Sequence, residues 1–129
     1  MGSGRRRSMR VMIVEDDAAI ALDLAGMVEG FGHDVVGIAE SAEMALDLSA
    51  ETYPDLALVD VRIQGGSDGT QVATVLRERD EVRTLFLTAC TDPLTRDRAQ
   101  ASWPLGLISK PVRPTDLRAA LRMAKDAVS

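Results

Sequence analysis

Two residue types that carry much of biological chemistry are almost missing from this chain of 129 residues: it has one cysteine, Cys90, and one histidine, His33. A lone cysteine closes no internal disulfide. That excludes a disulfide-stapled secreted domain and a cysteine-based zinc site. A lone imidazole excludes any chemistry that needs two. No apolar run approaches the roughly 18–20 residues of a membrane span, and the basic start lacks the apolar stretch of a signal peptide. The expected compartment is therefore the cytosol. Clustered basic charge is also scarce. The formal net charge is −5, and setting aside Arg5, Arg6 and Arg7 takes three positive charges from it and leaves −8. Such a composition is poor for gripping a phosphate backbone, so neither nucleic acid nor membrane is an expected partner. A basic arm for nucleic acid at 1–8 is the sharper rival. The plainer reading takes 1–8 as a flexible leader or an artificial remnant, with Met9 as the natural start and 9–129 as one domain.

What remains is ordinary globular composition, 46% hydrophobic and 27% charged, in a chain long enough to hide roughly two-thirds of its unfolded surface. Apolar, β-branched runs alternate with helical patterns five times. Strands are expected at Arg10–Val14, Val35–Ile38, Leu56–Val59, Leu85–Leu87 and Leu105–Ser109. The first helix carries a stripe of Ile20, Leu24, Met27 and Phe31, ended by Gly30 and Gly32. The second follows Ser41 with Met44, Ala45 and Leu48, and the third carries Val72, Val75 and Leu76 after a loop at 64–69. Asp92 and Pro93 form a helix start, a capping carboxylate before proline. Pro114 opens a last helix with Leu117, Ala120, Leu121 and Ala124 on one face. Strands without polar alternation, joined by short helices, imply a parallel sheet covered on both faces. The fold class is therefore α/β, a flavodoxin-like doubly wound (βα)5 sheet of order 2-1-3-4-5.

Ligands of such sheets bind beyond the carboxyl ends of the strands. Glu15 and Asp16 follow the first strand, Asp60 the third, Thr88 ends the fourth, and Lys110-Pro111 follows the fifth. Hard oxygen ligands without sulfur or histidine suit Mg²⁺, with Mn²⁺ as a substitute. A carboxylate at the sheet edge can act as nucleophile and form an aspartyl phosphate. Phosphoryl transfer needs mainly positioning and charge neutralisation, which a divalent ion, a lysine and a hydroxyl supply.

Val14-Glu-Asp-Asp17, Leu58-Val-Asp-Val61, the glycine-bearing loop to Gly69, Leu87-Thr-Ala89 and Ser109-Lys-Pro111, in that order and each at a strand end, closely resemble the receiver domain of two-component response regulators. The resemblance covers essentially all of residues 10–127. It implies that Asp60 accepts a phosphoryl group from a histidine kinase or a histidine phosphotransfer protein. It implies that Asp16 and Asp60 coordinate Mg²⁺, with Glu15 acting through water and Arg62 through its backbone carbonyl. Thr88 and Lys110 would contact the phosphoryl oxygens, Ala89 would leave room for them, and the Lys110–Pro111 bond would be cis. It further implies a signalling module rather than a turnover enzyme. Such a module presents a changed surface of the fourth helix, fifth strand and fifth helix to a downstream protein or to a second copy.

Bland readings compete with each pick. Asp16 and Asp17 serve equally as caps of the first helix, Thr88 is a good strand former, Lys110 suits a solvated loop, His33 suits an exposed turn, and Cys90 suits a small apolar site. Three positions depart from the family pattern. Arg62, two residues beyond the acceptor, brings a long cation to the site. Leu107 replaces the Tyr or Phe that rotates inward in many receivers. Trp103-Pro104 replaces a Gly-Ala, and the tryptophan reads as a cap on the core edge, with a partner anchor as the rival. Arg62, Ala89, Cys90 and Leu107 are thus expected modulators of the site. Other functions fit less well. A phosphorylation-independent binding module of receiver fold leaves the intact acidic set unexplained. An aspartyl phosphatase would want a general acid where Arg62 stands. A flavin-binding relative would want a Ser/Thr/Gly-rich loop where the chain has three acids.

Overall fold

A computed structural model describes residues 8–63, 68–89 and 93–128. Ten elements alternate along them: β1 Arg10–Val14, α1 Ala18–Gly30, β2 Asp34–Ala39, α2 Ala42–Thr52, β3 Leu56–Asp60, α3 Gly69–Asp80, β4 Arg83–Thr88, α4 Pro93–Ala101, β5 Gly106–Ser109 and α5 Pro114–Val128. The strands form one parallel sheet in the order β2-β1-β3-β4-β5. This is the expected doubly wound order, and its direction reverses between β1 and β3.

The strands read as unbroken apolar runs because both faces of the sheet are covered. Val11 and Ile13 of β1 point to one side, with Leu56, Leu58, Leu85, Leu87 and Ile108, and meet Leu24, Val28, Leu117 and Leu121 of α1 and α5. Met12 and Val14 point to the other, with Ala57, Val59 and Phe86, and meet Ala45, Val72 and Leu76 of α2 and α3. Each buried Leu or Ile side chain contributes roughly 1.5–3 kcal/mol, so the two layers together supply most of the driving force for folding.

Several helix faces differ from the simple stripe. In α1 the fully buried row is Ala21, Leu24 and Val28, while Ile20 is 36% exposed and Met27 and Phe31 pack only partly. The buried row includes Ala21 in place of its neighbour Ile20, a shift of one residue from the expected stripe. Likewise Ala45 and Ser49 of α2 are buried and Met44 is exposed; in α3, Val72, Ala73 and Leu76 are buried and Val75 faces out. Helix α1 runs through Gly30, and the reversal falls on Gly32 at φ 92°, a conformation that glycine adopts without penalty. Pro93 opens α4 as expected, whereas Cys90, Asp92 and most of the 64–69 loop lie outside the described residues.

Two side-chain expectations are corrected. His33 is not an exposed turn residue but half-buried, and its Nδ1 accepts the Met9 backbone N–H at 3.0 Å. The same segment is tied by the Asp34 N–H to the Met9 carbonyl, which draws the imidazole over the start of β1. Trp103 does not cap the core edge. It ends α4 in the left-handed region at φ 59°, and the indole is 71% exposed. Left-handed backbone turns its Cβ away from the sheet into which Leu105 then leads.

Candidate functional site

The carboxyl ends of β1, β3, β4 and β5 open on one edge, and there the expected residues converge. Glu15 leaves β1 with its backbone N–H on the Ala39 carbonyl at 3.0 Å, which turns the side chain inward to 1% exposure. Asp17 takes the capping role, its Oδ1 accepting the Ala19 and Ile20 N–H groups at 3.0 and 3.1 Å. That leaves Asp16 to the pocket. Carboxylate oxygens of Glu15, Asp16 and Asp60 lie within 4.8 Å of one another.

Asp60 is buried at the end of β3, and Lys110 reaches it from the end of β5. Lys110 Nζ donates to Asp60 Oδ2 at 2.7 Å and to Glu15 Oε1 at 2.9 Å. The other Asp60 oxygen, Oδ1, accepts the Arg62 backbone N–H at 3.0 Å. The Lys110–Pro111 bond is cis, as expected, and the Lys110 N–H holds the Thr88 carbonyl at 2.9 Å, which fixes the lysine beside β4. Thr88 and the exposed Ala89 join Asp60, Val61, Arg62 and Lys110 around a hollow of about 360 Å³ over the Asp60 carboxylate. Leu107 pairs with Phe86 two residues short of the strand ends and packs partly against the α2/α3 layer, so it supports the site from behind.

Charge in this pocket is unevenly balanced. Burial pushes Glu15 above the ordinary carboxylate range. The Lys110 ammonium and the Asp17 N–H pull it back, and the neighbouring Asp60 adds to the rise. Burial would lower Lys110, but its hydrogen bonds to Asp60 and Glu15 outweigh that and hold it above its ordinary value. One ammonium thus faces three carboxylates. The set is all oxygen, clustered and short of positive charge, which fits a small hard divalent cation.

Two contacts here escaped the sequence pattern. The residue before α3, Asp68, caps the helix through the Thr70 N–H at 2.8 Å and the Thr70 hydroxyl at 2.7 Å, and also pairs with Arg98 of α4. Asp68 before Gly-Thr was a readable cap signal, but its partner 30 residues away was not. Gly69 lies so close under Asp60 that a Cβ there would meet the Asp60 carbonyl oxygen at 2.1 Å.

A doubly wound parallel sheet with clustered acids and a lysine at its switch-point edge defines the class of small α/β signal receivers. Residues 11–122 match the response regulator receiver domain, and the chain belongs to that family. It is a receiver of two-component signalling, a kind of domain that generally relays signals rather than turning over substrate. It is 35% identical over 116 residues to the phyllosphere-induced regulator PhyR of Methylorubrum extorquens, covering 88% of this chain and 42% of that protein. It is 31% identical over 115 residues to the transcriptional regulatory protein PdtaR of Mycobacterium tuberculosis, covering 89% of this chain and 56% of that one. The chain thus spans about half the length of these curated relatives. The signal receiver domain of a modulated diguanylate cyclase from Desulfovibrio desulfuricans superposes with a TM-score of 0.87 at 32% identity, covering 94% of this chain and 96% of that one. Among the described residues no helix is long and apolar enough to cross a membrane.

Proposed function

We propose that Asp60 is the phosphoacceptor of this receiver, taking a phosphoryl group from the phosphohistidine of a kinase or of a phosphotransfer protein. The observation that carries this is Lys110 Nζ held on both Asp60 and Glu15. It sets an ammonium against Asp60, where phosphoryl oxygens arrive. An Asp60 oxygen attacks phosphorus as the P–N bond breaks, and the leaving imidazole takes up a proton. Lys110 then exchanges its Asp60 contact for a phosphoryl oxygen, and the Thr88 hydroxyl takes another. Ala89, without bulk, leaves the hollow open to them. Asp16 and Asp60, with Glu15 through water and the Arg62 carbonyl, would hold a magnesium ion, which would supply charge neutralisation for the transfer.

The output is a change of protein-binding surface on α4, β5 and α5. Helix α4 suits that role. Among its described residues Ala99 alone is buried, its Leu94 is exposed, and Arg98 ties it to Asp68 at the start of α3. The experiment is incubation with a small phosphodonor and Mg²⁺, read by intact mass. The chain should gain one phosphoryl group, and Asp60→Asn, which keeps the shape without the nucleophile, should gain none. Equal phosphorylation of the variant would show a different acceptor. No phosphorylation of either would favour a receiver that binds its partner independently of phosphate.

A further inference from the structure

At the opposite end of the sheet, below the start of β3, β4 and β5, lies a second hollow of about 540 Å³. Arg77 from α3 and Arg83 from β4 stand in its wall, with the exposed indole of Trp103 beside them and Pro54 and Val128 as an apolar border. The Nε atoms of both arginines are buried without a hydrogen-bond partner. Among the described residues neither guanidinium enters an ion pair. The two Nε atoms are closed to a ligand, so what the hollow offers is a pair of guanidinium groups standing in one wall, and such a pair suits an oxyanion. The indole calls for a flat ring, since a large aromatic held in the left-handed region at 71% exposure packs little of its own chain. Glu81 of the same wall sits at φ 59° at the end of α3 and offers a carboxylate to N–H donors. The volume is that of a small-molecule site. Two arginines on a chain of net charge −5 are too few for a nucleic-acid backbone.

We propose that this hollow binds a small anion built on a flat, nitrogen-bearing ring, in size and chemistry a purine nucleoside monophosphate. Arg77 and Arg83 hold the phosphate through fork-like hydrogen bonds. Trp103 stacks on the base, and Glu81 accepts from its donor edge. The carboxylates of Asp55 and Glu81 on the same wall disfavour additional phosphates, so a monophosphate is preferred to a triphosphate. Asp55 is itself engaged by the Arg10 N–H at 2.8 Å and stays in place. The site shares no residue with the acceptor pocket and is independent of whether Asp60 is phosphorylated.

Trp103 is the chain's single tryptophan, so its fluorescence reports on this hollow directly. The full chain is titrated with guanosine and adenosine monophosphates, guanosine triphosphate, guanosine and inorganic phosphate. A saturable change with a monophosphate is expected, with guanosine, inorganic phosphate and the triphosphate each at least about tenfold weaker. Arg77→Gln and Arg83→Gln should each weaken binding at least about tenfold, the loss of one charge-assisted contact, with an unchanged melting temperature. Calorimetry on Trp103→Phe, which keeps a ring but loses the signal, should still detect the monophosphate. The proposal is overturned if no nucleotide gives a saturable change, if inorganic phosphate binds as well as the monophosphate, or if both arginine variants bind unchanged.

Discussion

The two ends of this sheet are built from the same backbone and differ in nearly every other respect. At the carboxyl end, the strands empty into helix N-termini, and polar groups are drawn inward: Glu15, Asp60 and Lys110 are tied to one another, while Asp17 and Asp68 cap the helices around them. At the amino end, helices run out before the next strand begins, and among the described residues the three non-glycine residues of positive φ, Tyr53, Glu81 and Trp103, all fall there. They end α2, α3 and α4, the places where a left-handed residue closes a helix. Backbone strain therefore marks the wrong end for phosphoryl chemistry, and buried charge marks the right one. The direction of a parallel strand decides this, because helix N-termini with their unsatisfied N–H groups all face the carboxyl edge and favour anionic groups there.

Breaking that contrast should cost most at the acidic end. Millimolar Mg²⁺ should raise the melting temperature, since a ligand of the folded state adds about 2.7 kcal/mol at a hundredfold excess over Kd. Asp16→Ala should abolish the rise, and calorimetric scans with and without Mg²⁺ check it. Next comes Arg62, whose side chain is exposed at the rim of the acceptor hollow. With Asp60 as the proposed phosphoacceptor, a guanidinium there would screen the in-line path of the hydrolysing water. Arg62→Asn should shorten the phosphorylated lifetime by about tenfold, or roughly 1.4 kcal/mol of barrier, measured as decay after phosphodonor removal.

The amino end should answer with the opposite sign. Tyr53 is exposed and left-handed at φ 50°, its N–H on the Ser49 carbonyl. Glycine adopts that conformation freely, so Tyr53→Gly should raise stability by up to about 1 kcal/mol in urea unfolding and leave phosphorylation untouched. The smallest effect belongs to His33. Burial, with help from the Lys125 charge and against that of Asp34, holds its imidazole below the ordinary value. The folded chain prefers the neutral ring, which accepts the Met9 N–H. That contribution is complete above the unfolded value of about 6.5 and is lost as pH falls through the lower folded one. His33→Asn should remove this part of the pH dependence, so the difference in unfolding free energy between the two proteins should shift in favour of the variant as pH falls from 7.5 to below 6.

The carboxyl end was far easier to read from sequence than the amino end. Glu15, Asp16, Asp60, Thr88 and Lys110 each follow a strand by zero to two residues, and strand order alone brings them together. No knowledge of side-chain packing is needed. Trp103 and His33 were misread because their environments depend on a left-handed turn and on a contact between segments, neither of which periodicity encodes. Ile20 was misplaced for a related reason. An apolar stripe marks the face of a helix only roughly, and the row that meets the sheet, Ala21, Leu24 and Val28, lies at the edge of that stripe. The pairing of Asp68 with Arg98 depends on how α3 and α4 lie side by side, which a loop rich in glycine does not announce.

Gly69 sets a limit on how this gene can drift. Every codon for glycine begins with two guanines, and every missense change of one base adds a Cβ. At this position any Cβ collides with the Asp60 carbonyl. Every amino-acid-changing point mutation in that codon therefore pushes the loop around Asp60 out of place without touching a single chemical group of the pocket. In a saturation library, Gly69 should be as depleted of substitutions as Asp60 itself, though it carries no chemistry.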